Sequence, residues 1–525
     1  MWVGKFALQD DGTIQWVDLG ATAVSDASTL NGAAYHEAAQ ALFVTTEAVA
    51  AADPYIGGFR YRSDGALRVY DATAAVPAGA STNQGIAMTS DGQLCYTLDT
   101  ADRFSLNGVS LDEERRVNAI PLAFLLEFAD LGAGQVDTAE TIYDTTPTFT
   151  RATAATTVLS NGLIASVATG VARSYYDPTS LTYLGYLAEG ARTNLVLDGV
   201  SPSTAAGLGW GTDALATLTV SAEPSIISGE FFSLLARAGG GSYVYQSVSM
   251  SSGVAYTSSW YVKAADSNDP NFRFELNQPT DFVTVAAASL NLNTGVLTVT
   301  VGAGEVTACQ NGVYRVSITG TPGTTGVNGN VVAVLGGVPD DGTGHYLGGV
   351  QLEAAAFASS YIPTTTAAVT RNADVLTYPT TVWFSATAGT FYAEGTAPNS
   401  ATASPGNQSL IQIDDGTLNE RYLLYRASGL ATGDFAVIDG GVAQALLSSS
   451  TWSANAQIKM AAAYAASDFA FSANGTAPSL DSGGTLPTVT QIQIGTGDGA
   501  LVGPIRRVAY YSARLANATL QGLTG

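Results

Sequence analysis

The chain has 525 residues, of which 12% are charged and 57 are glycine, a length for roughly three to four domains and a composition suited to short strands and tight turns. Its 21 Lys and Arg against 44 Asp and Glu give a formal charge of −23, which excludes a sequence-independent footprint on nucleic acid or on an anionic membrane. The two cysteines, Cys95 and Cys309, fall in different predicted domains, so they frame no disulfide scaffold and read as small buried apolar residues.

The N-terminus, MWVGKFALQDDG, lacks the apolar run of an export signal. The longest apolar stretch, Val117 to Leu131, is interrupted by Pro121, Glu127 and Asp130, so no membrane insertion is expected. The first hundred residues repeat. Four segments align on positions 12, 39, 65 and 92, and three of them open on Asp-Gly: Asp11-Gly12, Asp64-Gly65 and Asp91-Gly92. Asp-Gly tolerates positive φ and marks hairpin turns, and an alternating strand follows, as in Ile14/Trp16 and Leu67/Val69. Each repeat therefore reads as one β-hairpin with a connecting loop. A lone hairpin cannot bury a face, so the repeats must stack on one another or on other chains. His36, in the second turn region, has no second histidine or cysteine nearby and reads as a surface residue.

Ala123 to Phe128 is a strand or a short helix; periodicity does not decide over so few residues. Arg151, Arg173 and Arg192 then punctuate a segment rich in glycine and tyrosine. They read as half-buried pairing candidates with a structural role, because a guanidinium fork ties loops through several hydrogen bonds. From 198 to 363, strand signals at 242–248, 256–263, 272–276, 286–292 and 313–318 alternate with turns at Asn293-Thr294-Gly295, Asn311-Gly312 and Asp341-Gly342. Phe272, Phe274 and Leu276 face one side and Arg273 and Glu275 the other, the pattern of a half-exposed antiparallel strand in a sandwich. Trp260 and Tyr261 are adjacent, so alternation sends one inward and one outward. A buried Trp260 is expected, and an exposed aromatic there could stack on a sugar. After Pro379 a second set of strands carries hairpin turns at Asp415-Gly416 and Asn474-Gly475, and Asn517 is placed to cap a helix over 518–523 anchored by Leu515 and Leu520.

No catalytic constellation is legible. Glu394 stands alone on its strand with no Glu-x-Asp-x-Glu face, Asp414-Asp415 is explained by a hairpin with a calcium site as the alternative, and His36 and His345 lie in separate domains. Gly239-Gly240-Gly241 lacks the setting of a phosphate loop. The chain is accordingly expected not to be an enzyme and to need no cofactor. No residue is assigned to catalysis, to a metal or to a ligand.

Two segments carry a family resemblance. Gln351, Leu352, Glu353, Phe357, Ser359, Ser360, Tyr361, Ile362, Pro363, Thr364, Val369, Thr370, Arg371, Ala373 and Asp374 resemble a seam in tailed-bacteriophage virion proteins that joins a carbohydrate-binding-module-like sandwich to a concanavalin A-like, or laminin-G-like, one. Ala355 departs from it, standing where the pattern has glycine. Arg151-Ala152, Asn161-Gly162, Arg173, Tyr176-Asp177-Pro178 and Gly185 through Glu189-Gly190-Ala191-Arg192-Thr193-Asn194-Leu195 look like the segment preceding that sandwich in the same proteins. The combined expectation is an all-β chain, N-terminal β-hairpin repeats followed by two antiparallel β-sandwiches of jelly-roll type. Its parts are a hairpin-repeat docking region at 1–110, a connecting segment at 111–197, a carbohydrate-binding-module-like sandwich at 198–363 and a concanavalin A-like sandwich at 364–525. The resemblance implies a virion fibre or appendage subunit, assembled in the host cytoplasm and released by lysis. Its implied partners are other virion proteins, its own copies in a homotrimer and a host-surface polysaccharide. A purely architectural tail, neck or capsid-decoration role without sugar binding is the alternative.

Overall fold

The computed structural model describes residues 122–525 apart from short segments at 129, 137–146, 205–206, 238–241, 266–269, 336–343 and 398–405, and of residues 1–121 the backbone of the strands alone. The expected turn at Asp341-Gly342, the glycine run at 239–241 and Cys95 lie outside the described residues. All described elements but one short 3-10 turn and one C-terminal helix are strands, and the sandwich sheets are antiparallel, so the chain is all-β as its composition indicated.

In the N-terminal unit, Trp2–Leu8 pairs antiparallel with Ile14–Val17, Leu30–His36 with Ala41–Thr46, and Gly58–Tyr61 with Leu67–Tyr70. Each pair flanks one of the first three aligned turn positions. In the fourth repeat Tyr96–Leu98 pairs antiparallel with Phe104–Leu106, and Asp91-Gly92 lies outside the described residues. The first two hairpins merge into one four-stranded sheet through Trp2–Leu8 and Ala41–Thr46.

In the larger unit, the first sandwich stacks two six-stranded sheets. One runs in the order Trp210–Thr212, Tyr243–Met250, Gly326–Leu335, Asn271–Asn277, Thr284–Asn291 and Val296–Val301. The other runs Ala216–Pro224, Phe231–Arg237, Gly344–Glu353, Tyr256–Ala264, Val313–Gly320 and Ala303–Ala308. Between them lie Trp260, Phe272, Phe274 and Leu276, all fully buried, while Arg273 and Glu275 pair with each other on the outer face at 2.8 Å. His345 is buried at one end of this core against the ring of Phe272.

The second sandwich draws on more of the chain than 364–525. Its first sheet begins with Thr148–Thr150, paired to Val375–Pro379, before Gln491–Ile494, Gln408–Asp414, Arg421–Arg426, Thr432–Asp439 and Val442–Thr451. Its second sheet begins with Ser174–Tyr176 and Tyr183–Ala188, the latter paired to Gly503–Tyr511, and Leu122–Glu127 also pairs with Gly503–Tyr511. The segment at 111–197, expected as a connection, thus supplies strands to both sheets, and its Leu126, Phe128 and Tyr186 sit in the same core as Phe391, Tyr422, Tyr464 and Tyr510. The physical reason is edge protection, since both sheets would otherwise end on unpaired backbone. Gly185 shows how closely this segment lies: at φ +112°, a Cβ there would fall 2.2 Å from the carbonyl oxygen of Ile505, so the strand passes over only with glycine. Residues 122–127 form a strand, which resolves the helix-or-strand ambiguity.

The C-terminal helix spans Asn517–Thr524 with Leu515 and Leu520 buried as its anchors. Asn517 does not cap it. The cap position is Ala516, which offers no side-chain acceptor, and the Asn517 side-chain Oδ1 instead accepts from Arg514 Nη1 at 2.7 Å. The fold makes a prediction about autonomy. A fragment starting at residue 364 lacks the strands at 148–150 and 183–188, and should melt non-cooperatively and bind a hydrophobic dye, whereas one starting at 147 should melt in a single sharp transition by circular dichroism. Equal cooperativity of the two fragments would contradict the interleaved topology.

Candidate functional site

The two segments singled out by sequence meet in one buried ionic cluster. Arg151 Nη1 donates to Asp374 Oδ1 at 2.8 Å and Arg173 Nη2 to Asp374 Oδ2 at 2.5 Å. Glu189 Oε2 lies 2.9 Å from Arg173 Nη1 and 2.8 Å from Arg371 Nη1. Ser360 completes it by donating its hydroxyl to Glu189 at 2.5 Å while accepting from Arg173 and Arg371. The backbone repeats the link, with the Asp374 amide donating to the Glu189 carbonyl and the Glu189 amide to the Asp374 carboxylate. Beside it, Asn194 is wholly buried and makes four bonds, donating to the carbonyls of Val350 and Ile362 and accepting from the amides of Val196 and Leu352. Glu353 accepts from Gln351 and from both donors of Ser359.

Burial alone would push the Glu189 carboxyl upward, but the charges of Arg371 and Arg173 and the two bonds from Ser360 outweigh it and hold the group down at about 2. Arg173, flanked by Asp374 and Glu189 in spite of its burial, is held above the usual guanidinium range. Arg151 and Arg173 are thus fully buried ion-pair partners rather than half-buried ones. Arg192, grouped with them in sequence, makes no ion pair among the described residues; its guanidinium lies over the ring of Phe357, 5.0 Å from the centroid. Sequence reasoning missed Glu189, Arg371 and Asp374 as partners. The available signal was their crowding into two short segments of a chain that is only 12% charged.

Against this cluster, between the two sandwiches, opens a cleft of about 820 Å³. One wall comes from the first sandwich, through Tyr261, Glu305, Cys309 and Arg315. The opposite wall comes from the second, through Thr396, Asn455, Gln457 and Arg506, and Glu189, Ser359 and Ser360 also line the cleft. Tyr261 is here because it points away from the Trp260 core, as alternation requires. Yet it is not exposed, since the segment at 155–190 and the ring of Tyr361 cover it. Burial pushes its hydroxyl up to about 12 despite nearby Arg315. Burial likewise raises the thiol of Cys309, which is half-buried, to about 11.

The other sequence candidates fall elsewhere. Glu394 accepts from Gln457 at 2.5 Å and Tyr392 at 3.1 Å, just behind the cleft wall. Asp414 is buried and spends its carboxylate on Gln412, Gln491, Gln493 and the amide of Gly416; Asp415 accepts from Thr417. The bonds from Gly416 and Thr417 are those of a hairpin turn, with Gly416 at φ +94°, while the three glutamines stand on the strands Gln408–Asp414 and Gln491–Ile494; no group of acidic, histidine or cysteine side chains that could hold a metal occurs among the described residues.

No family model and no curated protein matches the sequence. Solved structures that match include the LG4-5 domains of the mouse laminin alpha1 chain, at 11% identity and TM-score 0.19 over 52% of this chain and 86% of that one. They also include Trypanosoma rangeli sialidase in complex with sialic acid, at 12% identity and TM-score 0.23 over 97% of this chain and 98% of that one. The sequence-based expectation of a non-enzyme is corrected on this point: the matched structures include an enzyme over nearly the whole chain, so the exclusion of catalysis is withdrawn. At these scores neither likeness transfers an activity or a site residue.

The cluster makes two predictions. Asp374→Asn leaves Arg151 and Arg173 buried with one acceptor charge fewer and should cost about 3–5 kcal/mol by urea unfolding, the scale for breaking a buried pair. Because folded Glu189 titrates below its ordinary value of 4.5, its stabilisation is complete above about pH 4.5 and is lost as pH falls toward 2. Melting temperature should therefore drop across that window, and the drop should shrink in Glu189→Gln.

Proposed function

We propose that the chain is a structural subunit of a tailed-phage virion, a fibre or appendage protein. Its hairpin-repeat part attaches to the particle, and its lectin-like sandwiches recognise host-surface glycan. The observation that carries the glycan reading is the cleft between the sandwiches, lined by the amides of Asn455 and Gln457, the hydroxyls of Thr307 and Thr396 and the guanidinium of Arg506. Such groups match the hydrogen-bonding edges of a sugar, and the ionic cluster beneath fixes the two walls in advance, which lowers the ordering cost of binding. The virion reading rests on the resemblance of the two segments that build the cluster. Assembly as a homotrimer with other virion proteins, and location on the released particle, belong to the same reading.

The architectural alternative draws on a different observation. The edge strand Val296–Val301 leaves Val296 60% exposed, with Val299 and Val301 also exposed, an apolar edge of the kind that packs against neighbouring subunits.

A glycan array and a host-cell binding assay with the full-length protein separate the two. The glycan reading expects saturable binding competed by a single sugar. Folded protein that binds neither cells nor any glycan would leave the architectural role.

A further inference from the structure

The guanidinium of Arg315 is placed differently from those of the cluster. It lines the cleft, half-buried, with its Cζ over the ring of Tyr261, 5.4 Å from the centroid. Its Nη2 donates to Ser259 Oγ at 3.2 Å and to the Ser359 carbonyl at 2.6 Å. Nη1 makes no hydrogen bond among the described residues, and Arg315 forms no direct ion pair there, Glu353 acting on it only through space, whereas Arg151, Arg173 and Arg371 are each paired to a carboxylate. On the opposite wall stands Arg506, its side chain 53% exposed and only loosely paired with Glu394 at 3.7 Å.

The carboxylates lining the cleft do not answer these two cations equally. Glu189 is saturated by Arg173 and Arg371. Asp177 spends Oδ1 on the amides of Thr179 and Ser180 and on the Ser180 hydroxyl. Glu305 is exposed at the mouth and interacts with Arg315 through space without a hydrogen bond. A pre-positioned guanidinium whose Nε and Nη1 carry no hydrogen bond among the described residues, in a polar cleft that a second, exposed guanidinium also lines, is the arrangement that receives a planar carboxylate.

We infer that the cleft between the sandwiches is the glycan site and that its ligand is an acidic saccharide, whose carboxylate is received by Arg315 and approached by Arg506 from the opposite wall. The inference rests on the glycan reading and narrows it to one ligand chemistry and one place. Glu305, at the mouth, opposes such a ligand and sets an upper limit on its affinity.

The test uses the full-length protein on an array of oligogalacturonides and oligoglucuronides, their methyl esters, and neutral gluco- and manno-oligosaccharides. Binding of free acids over methyl esters is expected. It should weaken about tenfold or more in Arg315→Met, the scale of a lost charge-assisted hydrogen bond, and several-fold in Arg506→Gln. Glu305→Gln should strengthen it, a change of opposite sign that a merely structural role would not produce. Arg506 and Glu305 are exposed, so these variants keep the fold even if Arg315→Met does not. Binding of esters and neutral sugars alone would overturn the acidic-ligand inference and leave glycan recognition standing. Acid binding that none of the three variants alters would overturn the placement in the cleft, and binding of no saccharide would overturn both readings.

Discussion

The larger unit depends on five charged side chains taken out of water together. Three guanidiniums and two carboxylates are buried at the junction of the sandwiches, and a charge so placed is tolerable only if its partners are fixed and its remaining donors used. Arg151, Arg173 and Arg371 each have a carboxylate, Ser360 and backbone carbonyls take most other donors, and Glu189 and Asp374 are joined through main chain as well. Apolar residues of the same volume could hold the junction as firmly, but would not demand one arrangement. An ionic cluster penalises every docking that leaves a charge unpaired, and this favours a single relative placement of the two sandwiches.

The same requirement explains why the chain is interleaved. The cluster needs residues from 151, 173, 189, 371 and 374, so the segment before the first sandwich must return to the second. Its strands at 148–150 and 183–188 do so by closing the edges of both sheets, and the first sandwich is inserted between them as an excursion of the chain. The cleft is a consequence. Two sandwiches held at one junction leave a groove beside it, and its lining inherits Glu189 and Ser360 from the cluster.

Much of this was legible in the sequence, for identifiable reasons. Period-two alternation at Phe272, Phe274 and Leu276 located a strand and its buried face, and Asp-Gly and Asn-Gly pairs located turns, because both signals are local. The exposed strands Val296–Val301 and Ala303–Ala308 were passed over, since valine and threonine alternate there without burying either face. Tyr261 was read as core or surface, a choice that assumes one covered face per sheet; the structure covers both. The two signature segments were recognised as matched patterns, and Arg151 and Arg173 as pairing residues, but nothing local to Arg173 says that its partners lie 16 and 201 positions away. The hairpin repeats were read from their spacing, and the first three pair across their aligned turn positions as that spacing requires.

The central claim is that the sandwiches and the segment at 147–197 form one cooperative body locked by the cluster. Native-state hydrogen exchange on the full-length protein measures it most directly. The account predicts that amides in Thr148–Thr150 and Tyr183–Ala188 open with the same free energy as those in Gln408–Asp414, and that Asp374→Asn lowers all of them together. Exchange of the 147–197 segment at much lower free energy, unaffected by that substitution, would show it to be a loosely held connection and would contradict the account.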